Sequence, residues 1–369
     1  MILNIFLILF EIFLIKEIFS YKNKIKNYNI NNNNENENEN DSIFTLIYKF
    51  NITTFPNNTC EDCIPNKIKI SSKNEIYINF PKYKINENTS SVTLAKLDIN
   101  KNNFIPFPSE EKNTENDPKK KLYSVNSFEI YEDKLYALDQ GNSSIENSTK
   151  IIVYNISENE PIYLNSYIFD NDFIKNCFLN DIVIDPNKNI AYISNGVNNF
   201  YNKINHDKND DNNIFSSIII VDLNDNESDY VKTYSILHND SILFPDETYY
   251  LHVDGEAVNI ENNKINKNNS EIEPLKIGIN GIALTCDYSM LYFTPLSSRM
   301  IYAIKTEDII NKIEKNKNYN YNNIINSDNL NILSFYKNDS SDGIIASSNG
   351  LMYLSALEKN SIYIHPNLD

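Results

Sequence analysis

The chain has 369 residues, of which 41% are apolar, enough for one large domain or two ordinary ones with a sizeable core. Its 33 basic and 50 acidic side chains give a net charge of −17, which excludes nucleic acid as an expected partner and disfavours docking to anionic lipid. The seven glycines form neither a GxGxxG nor a GxxxxGK[ST] phosphate loop.

The N-terminus has the pattern of a secretory signal peptide over residues 1–20. Residues 1–15 are apolar apart from Asn4 and Glu11, and this run is shorter than the about 20 residues of a membrane-spanning helix. An uncleaved N-terminal anchor is the alternative, and no other membrane contact is expected. Residues 21–43 are polar and Asn-rich, which predicts a disordered spacer. We therefore expect an extracellular protein whose folded domain spans residues 44–369.

Secretion affects how the four cysteines, Cys60, Cys63, Cys177 and Cys286, are interpreted. An even count in an oxidising compartment predicts two disulfides, with three pairings open. A lone CxxC at Cys60 and Cys63 favours a local disulfide or unrelated thiols over zinc, and leaves Cys177–Cys286 as the other candidate pair.

Candidate glycosylation sites also follow from secretion. The chain contains 66 asparagines, so Asn-X-Ser/Thr triplets are common by chance. Asn51, Asn142 and Asn155 begin three of them, and we expect a minority of such sites to carry glycan.

From residue 44 onward, short runs of Ile, Val, Tyr and Phe are bounded by Asn, Asp and Ser clusters, the pattern of β-strands. An apolar run, a polar turn and a second run containing Tyr recur and predict antiparallel hairpins. These hairpins cover residues 128–139, 181–194, 281–294 and 343–355, and third strands follow at 151–156, 217–223, 300–306 and 361–365.

The spacing of these hairpins predicts an all-β propeller. They begin near residues 127, 181, 281 and 343, and a further unit is expected in 230–277. A period of about 50–60 residues with three or four strands is typical of propeller blades, and a solenoid of shorter units is the alternative. Five units result. Either strands in residues 45–120 help to close the ring, or a final blade is missing after Asp369.

Several segments in the same order resemble the yellow / major royal jelly protein family. The most specific is GINGIALTCDYSMLYFTPLSSRMIYAIKT (278–306), and LYSVNSFEIYEDKLYALDQG (122–141) and EIYINFPKY (75–83) add to it. The resemblance runs from about residue 45 to the end, although Tyr136 and Lys82 replace the usual Trp and Arg. It implies a secreted six-bladed propeller with a ligand channel along its axis, and it favours an incomplete C-terminal blade. Some members resemble carriers of small aromatic amines or lipids, and others are proposed to act in dopachrome conversion.

Polar residues stand directly ahead of the predicted innermost strands: Asn126, Asn180, Asn280 and Asp342. In a propeller such residues line one mouth of the channel, where they could bind a ligand. Asn180, Asn280 and Asp342 could also hold a hard cation such as Ca²⁺ through oxygen atoms. The pattern is similar to that of gluconolactonase / senescence-marker-type propellers, which are metal-dependent hydrolases. The alternative is structural, because Asn and Asp commonly cap strands and turns.

Four further residues are candidates for the channel lining: Tyr249, Tyr250, His252 and Arg299, the only arginine. Tyrosine walls with a carboxylate suit an aromatic amine. The alternatives are sheet packing for the tyrosines, a satisfied strand histidine, and a structural ion pair for Arg299.

No catalytic motif of the GxSxG or HExxH type is present. The leading hypothesis is therefore a secreted, non-enzymatic binder of a small molecule in the axial channel. The competing hypothesis is a metal-dependent hydrolase or lactonase, or a dopachrome-type isomerase, acting at the channel mouth. An extracellular matrix or surface protein without a ligand is the third.

Overall fold

Antiparallel sheets account for most of the described chain. The computed structural model describes residues 65–82, 92–100, 103–196, 215–225, 228–261, 272–315, 323–337, 339–347 and 350–366. The predicted signal peptide and spacer, the glycosylation candidate Asn51, and Cys60 and Cys63 lie outside these ranges. No helix within them is both long and apolar enough to cross a membrane.

Five of the sheets are propeller blades whose strands follow chain order from the axis outward. The first blade contains β1 (Ile68–Ile70), β2 (Ile76–Asn79), β3 (Leu94–Asp98) and β4 (Asn103–Pro106). The second contains β5 (Val125–Tyr131), β6 (Lys134–Asp139), β7 (Lys150–Asn155) and β8 (Ile162–Ile168). The third contains β9 (Leu179–Asp185), β10 (Ile190–Asn195), β11 (Ser217–Asp222) and β12 (Thr233–Ile236).

The fourth and fifth blades come later in the chain. The fourth contains β17 (Ile279–Leu284), β18 (Met290–Pro295), β19 (Met300–Lys305) and β21 (Ile332–Tyr336). The fifth has three described strands, β22 (Ile344–Ala346), β23 (Leu351–Ala356) and β24 (Ser361–Pro366). A short strand, β20 (Asn323–Ile324), pairs in parallel with the outer strand β12 of the third blade.

Smaller elements connect the blades. Between the third and fourth blades lie two two-stranded sheets, β13 (His252–Val253) with β14 (Glu256–Ala257), and β15 (Asn259–Glu261) with β16 (Ile272–Pro274). Helix α1 (Asn171–Ile174) begins where the Asp170 carboxylate accepts the N–H of Asp172. Helix α2 (Thr306–Lys315) buries Ile309 and Ile313. Single 3-10 turns cover Lys112–Thr114, Ser241–Leu243 and Leu357–Lys359.

Apolar side chains fill the space between successive blades. Phe107 lies between the first and second blades and meets Tyr77 and Tyr154 edge to face, at 5.5 and 5.2 Å between ring centroids. Further apolar clusters join the second blade to the third, the third to the fourth together with α2, and the fourth to the fifth. This packing holds the five inner strands around one axis.

The structure confirms the propeller and its four predicted hairpins, which are the pairs β5–β6, β9–β10, β17–β18 and β22–β23. Two parts of the unit count are wrong. Residues 230–277 do not form a blade of their own: Thr233–Ile236 is the outer strand of the third blade, and the later described strands of this range pair only over two or three residues. Residues 45–120 instead supply a complete four-stranded first blade, beginning at Ile68. Five blades are therefore described, and six are not confirmed.

A buried ion pair holds the second blade together. The Asp139 carboxylate, at the end of β6, accepts hydrogen bonds from the backbone N–H groups of Tyr123, Ser124 and Gly141 at 2.8–2.9 Å. Lys150 Nζ lies 2.8 Å from the same carboxylate, and both side chains are fully buried. Removing one member of such a pair leaves the other charge without compensation in the interior.

We expect Lys150→Met to lower the free energy of unfolding by about 3–5 kcal/mol, because Asp139 would remain buried without its cation. Urea denaturation measures this. Lys120→Met is the control, since Lys120 pairs with Asp117 at 3.9 Å with both side chains about 40% exposed, and its loss should be below about 1 kcal/mol. Equal losses in the two variants would show that the buried pair has no special role.

Candidate functional site

Residues at the start of the inner strands, or just ahead of them, form a row of polar side chains at one end of the axis. We call Asn66, Asn126, Asn180, Asn280 and Asp342 the polar ring. Asn66 Nδ2 donates to the Asn126 carbonyl at 2.9 Å, and Asn126 Nδ2 donates to the Leu179 carbonyl at 2.8 Å. Asn180 Nδ2 donates to the Asn280 carbonyl at 3.3 Å, and Asn280 Nδ2 donates to the Asp342 carboxylate. All four predicted mouth residues are thus brought together.

The polar ring connects neighbouring blades. Each amide group donates to a group of the next inner strand or of the segment leading into it, which is the structural role that the sequence left as the alternative. Gly281 allows the close approach of the fourth and fifth blades, because a Cβ there would lie 2.8 Å from the Asp342 carbonyl. The described residues contain no group of three or more His, Cys, Asp or Glu side chains placed to hold a metal ion. Ca²⁺ binding at the ring stays a prediction.

A lysine lies beneath the polar ring. Lys67 Nζ contacts Asp181 Oδ1 at 2.6 Å, Ser127 Oγ at 3.2 Å and the Ile182 carbonyl at 3.3 Å. Ser127 Oγ also donates to Asp181 Oδ1 at 2.7 Å. The Lys67 side chain is only 7% exposed. This cluster, which we call the lysine plug, joins the first, second and third blades directly below the ring.

The axial cavity lies beyond the lysine plug and has a volume of about 240 Å³. Residues of all five inner strands line it. Its apolar lining comes from Ile130, Val183, Ile282, Leu284 and Ile344, among others. Its charged lining is Glu129 with two lysines, Lys69 Nζ lying 2.9 Å from Oε1 and Lys67 Nζ lying 4.0 Å from Oε2. The cavity thus offers apolar contact and an ion pair side by side, and no polar-ring residue lines it.

Two tyrosines and a cysteine lie at the far end of the cavity. The rings of Tyr131 and Tyr288 meet edge to face with centroids 6.4 Å apart. Burial and the neighbouring Tyr131 raise the pKa of Tyr288 to about 12, so the Tyr288 phenol is neutral at physiological pH. Cys286, in the turn between β17 and β18, also lines the cavity and is exposed.

The predicted Cys177–Cys286 disulfide is absent, because both thiols are free. Cys177 is buried in the apolar cluster between the second and third blades, where burial raises its pKa. Cys286 lies at the cavity in the fourth blade. An even cysteine count cannot reveal this separation.

Sequence reasoning did not find Lys67, Lys69, Ser127, Glu129 or Asp181. A signal was present, since Asp181 directly follows Asn180, and Lys67 and Lys69 alternate with isoleucines in NKIKI (66–70). This signal was not used because residues 45–120 were expected to form only part of a blade.

A sequence model of the family described as "Major royal jelly protein" matches residues 131–366 of this chain, well over half of its length. The chain belongs to the major royal jelly protein family. This confirms the resemblance seen in the sequence. No curated protein matches this royal jelly family member.

Solved structures provide more distant similarities. Hydrazine synthase of Kuenenia stuttgartiensis is 9% identical with a TM-score of 0.45, and the match covers 83% of this chain and 72% of that one. A luciferin-regenerating enzyme is 11% identical with a TM-score of 0.42, covering 82% and 72%. A chain of a nidogen/laminin complex is 10% identical with a TM-score of 0.39, covering 83% and 77%. At such TM-scores these similarities say nothing about function.

The four other residues that the sequence predicted to line the channel lie away from the axial cavity. Tyr249 is buried, and the Arg299 guanidinium lies 4.9 Å above its ring and 3.7 Å from the Glu358 carboxylate. Tyr250 is exposed beneath the Lys276 ammonium, at 4.9 Å. His252 is also exposed, and its Nδ1 lies 2.9 Å from the Tyr250 carbonyl. These contacts fit the structural alternatives, and none of the four lines the cavity.

A second buried lysine lies near Arg299. Lys337 Nζ donates to Thr294 Oγ1 at 2.6 Å and to the Pro295 carbonyl at 3.0 Å, both of which are neutral oxygens. Its side chain is almost fully enclosed. Burial lowers the pKa of Lys337 from 10.5 to about 7. The folded chain therefore favours the uncharged amine.

We expect Asp342→Ala to lower the free energy of unfolding by about 1–3 kcal/mol, because the Asn280 amide would lose a buried acceptor. Thermal melts of the full chain in Ca²⁺ and in excess chelator would measure this loss. If the polar ring has only a structural role, Asp342→Ala should lower the melting temperature by the same amount in both conditions. Asn224→Ala is the control, since its amide donates at the surface to the Lys188 carbonyl at 3.1 Å. A Ca²⁺-dependent rise that disappears in Asp342→Ala would instead establish a metal site.

Lys337 should make stability depend on pH. Between pH 7 and 10.5 the unfolded chain holds a proton on this lysine that the folded chain has lost, so stability rises with pH in this window. Lys337→Met should be more stable than the wild type below pH 7, and the difference should shrink toward pH 9.5, at no more than about 1.4 kcal/mol per pH unit. Urea denaturation at several pH values measures the difference, and a constant difference would contradict this account.

Proposed function

We propose that this chain is a secreted, non-enzymatic protein that binds a small molecule in its axial cavity. The observation that carries the proposal is a cavity of about 240 Å³ at the meeting point of all five inner strands, with apolar and charged lining. Ligand sites are typically concave and mostly apolar, with a few polar groups that orient the ligand. Residues 1–20 support secretion through their signal-peptide pattern.

An aromatic amine is the ligand class that this cavity fits best. The Glu129 carboxylate would accept the ammonium group, while the ring would contact the aliphatic lining and the faces of Tyr131 and Tyr288. At about 30 Å³ per water molecule, the cavity has room for about eight waters, which suits a small ligand.

We also propose that the ring has six blades. The first blade carries an apolar cluster that includes Ile78, Phe80 and Phe104, and no other described blade contributes to it. A sixth unit between the fifth and first blades would cover this face. A crystal structure in which the fifth blade packs directly on this face would contradict a sixth blade.

Catalysis at the polar ring has less support. A metal-dependent hydrolase, a lactonase or a dopachrome-type isomerase would need ring groups that face a substrate. The amide donors of Asn126, Asn180 and Asn280 instead bind the neighbouring blade.

The absence of tryptophan from the chain allows a direct binding assay. The indole fluorescence of tryptamine can be excited without a protein background, and its change on titration gives Kd. We expect Glu129→Gln to weaken tryptamine binding at least tenfold, or about 1.4 kcal/mol, because the ammonium loses its carboxylate partner.

Glu75→Gln is the matched control, because Glu75 also pairs with a lysine, Lys96, at 3.0 Å, but lies outside the cavity. Its Kd should equal that of the wild type. Tryptamine that binds both variants equally, or that does not bind the wild type at millimolar concentration, would rule out an amine site at Glu129.

A further inference from the structure

We infer that the axial cavity is entered from the end opposite the polar ring, between Tyr131 and Tyr288. This inference concerns the route to the site and rests on the proposed function only for the identity of the molecule that uses it. We call the two tyrosines the tyrosine gate.

The ring end of the axis carries two successive layers of polar contacts, the first running from the first blade to the fifth and the second joining the first three blades. The polar ring joins neighbouring blades through side-chain amides, and Asn126 and Asn280 are both buried. Directly beneath it, Lys67 Nζ is held by a carboxylate, a hydroxyl and a carbonyl of the second and third blades. A molecule entering here would have to separate a buried ion pair as well as the ring, and breaking buried ion pairs is costly.

The opposite end has no such closure among the described residues. Tyr131 ends β5, and Cys286 and Tyr288 lie in the turn that follows β17, so all three stand where inner strands leave the axis. All three line the cavity. Cys286 is exposed, and both tyrosines are half-buried. The cavity therefore reaches solvent at this end.

The tyrosine gate spans the end of the cavity. Tyr131 belongs to the second blade and Tyr288 to the fourth, and the third blade lies between them. Their edge-to-face contact, with centroids 6.4 Å apart, crosses from one blade to the other. This ring contact, together with the side-chain hydrogen bond between the two tyrosines, is weaker than the buried ion pair at the other end. Rotation of one ring therefore opens the cavity more easily than any change at the polar ring.

The first test measures entry by stopped-flow fluorescence with tryptamine. Tyr131→Ala should raise the association rate constant about tenfold, which the loss of a binding contact alone would not do, and it should raise the dissociation rate constant by at least as much. Tyr131→Phe, which keeps the ring, should stay near the wild-type rates. If Asn180→Ala in the polar ring raises the rates and Tyr131→Ala does not, entry is through the ring and the inference is overturned.

The second test needs no ligand and uses Lys69 as a reporter inside the cavity. Reductive methylation with formaldehyde and borohydride, followed by peptide mass spectrometry, gives the rate at which a small reagent reaches Lys69. Alkylation of Cys286 with a bulky maleimide should slow this rate at least tenfold. Burial and Asp287 raise the pKa of the Cys286 thiol, so alkylation is best done at mildly alkaline pH.

Cys286→Ser is the matched control, in which the maleimide should leave methylation of Lys69 unchanged. An unchanged Lys69 rate in the alkylated wild type would overturn the inference. The two tests also separate the two proposals. If tryptamine does not bind, the amine-binding function fails, while Lys69 methylation still decides the route of entry.

Discussion

The arrangement at the axis depends on one repeated interaction, in which a side chain near the end of each blade's second strand accepts backbone N–H groups ahead of the inner strand. In the first blade Asn79 accepts the N–H of Lys67, and in the second Asp139 accepts those of Tyr123 and Ser124. In the third, fourth and fifth blades, Asn195 accepts the N–H of Phe178, Ser297 that of Ile277, and Ser355 those of Asp342 and Gly343. The interaction satisfies donors that would otherwise be buried without partners, and it fixes where each inner strand begins. The polar ring and the lysine plug depend on this shared starting level.

This common level explains why the two ends of the axis differ. At the ring end, each inner strand begins at or just after a residue with a short polar side chain, and the neutral amides among these can bind the next blade without burying a charge of their own. One residue further on, Lys67 and Asp181 do bury charges, which compensate each other at 2.6 Å. At the other end, each inner strand is followed by a separate turn that leads away from the axis. No equivalent set of hydrogen bonds joins these turns among the described blades. The polar ring therefore stabilises the assembly, and the free space lies beyond it.

Short apolar runs separated by polar turns predicted the hairpins, because strand pairing between neighbours in the chain is a local property. Local patterns did not predict the structure where contacts between residues far apart in the chain determine it. The runs in residues 230–277 look like strands, yet Tyr249 packs in a cluster with Leu296 and Leu357 and forms no blade. Asp181 meets Lys67, 114 residues away, and no spacing rule predicts such a pair. Four of the five polar-ring residues were found from sequence because the blades repeat them, and Asn66 was missed with the first blade. The charged cavity lining was not found, because each charged residue occurs in only one blade.

The charge of the whole chain adds to the argument about the ligand. A net charge of −17 attracts cations over distances up to about the Debye length, near 8 Å at physiological salt, and repels anions. An ammonium compound is therefore concentrated near the surface before it meets the tyrosine gate. Inside the cavity, Glu129 already lies 2.9 Å from Lys69 and 4.0 Å from Lys67, so the amine that we propose would have to share this carboxylate with two lysines. For the amine ligand that we propose, the long-range field favours arrival, while the choice among amines would fall to the apolar lining and the two tyrosines.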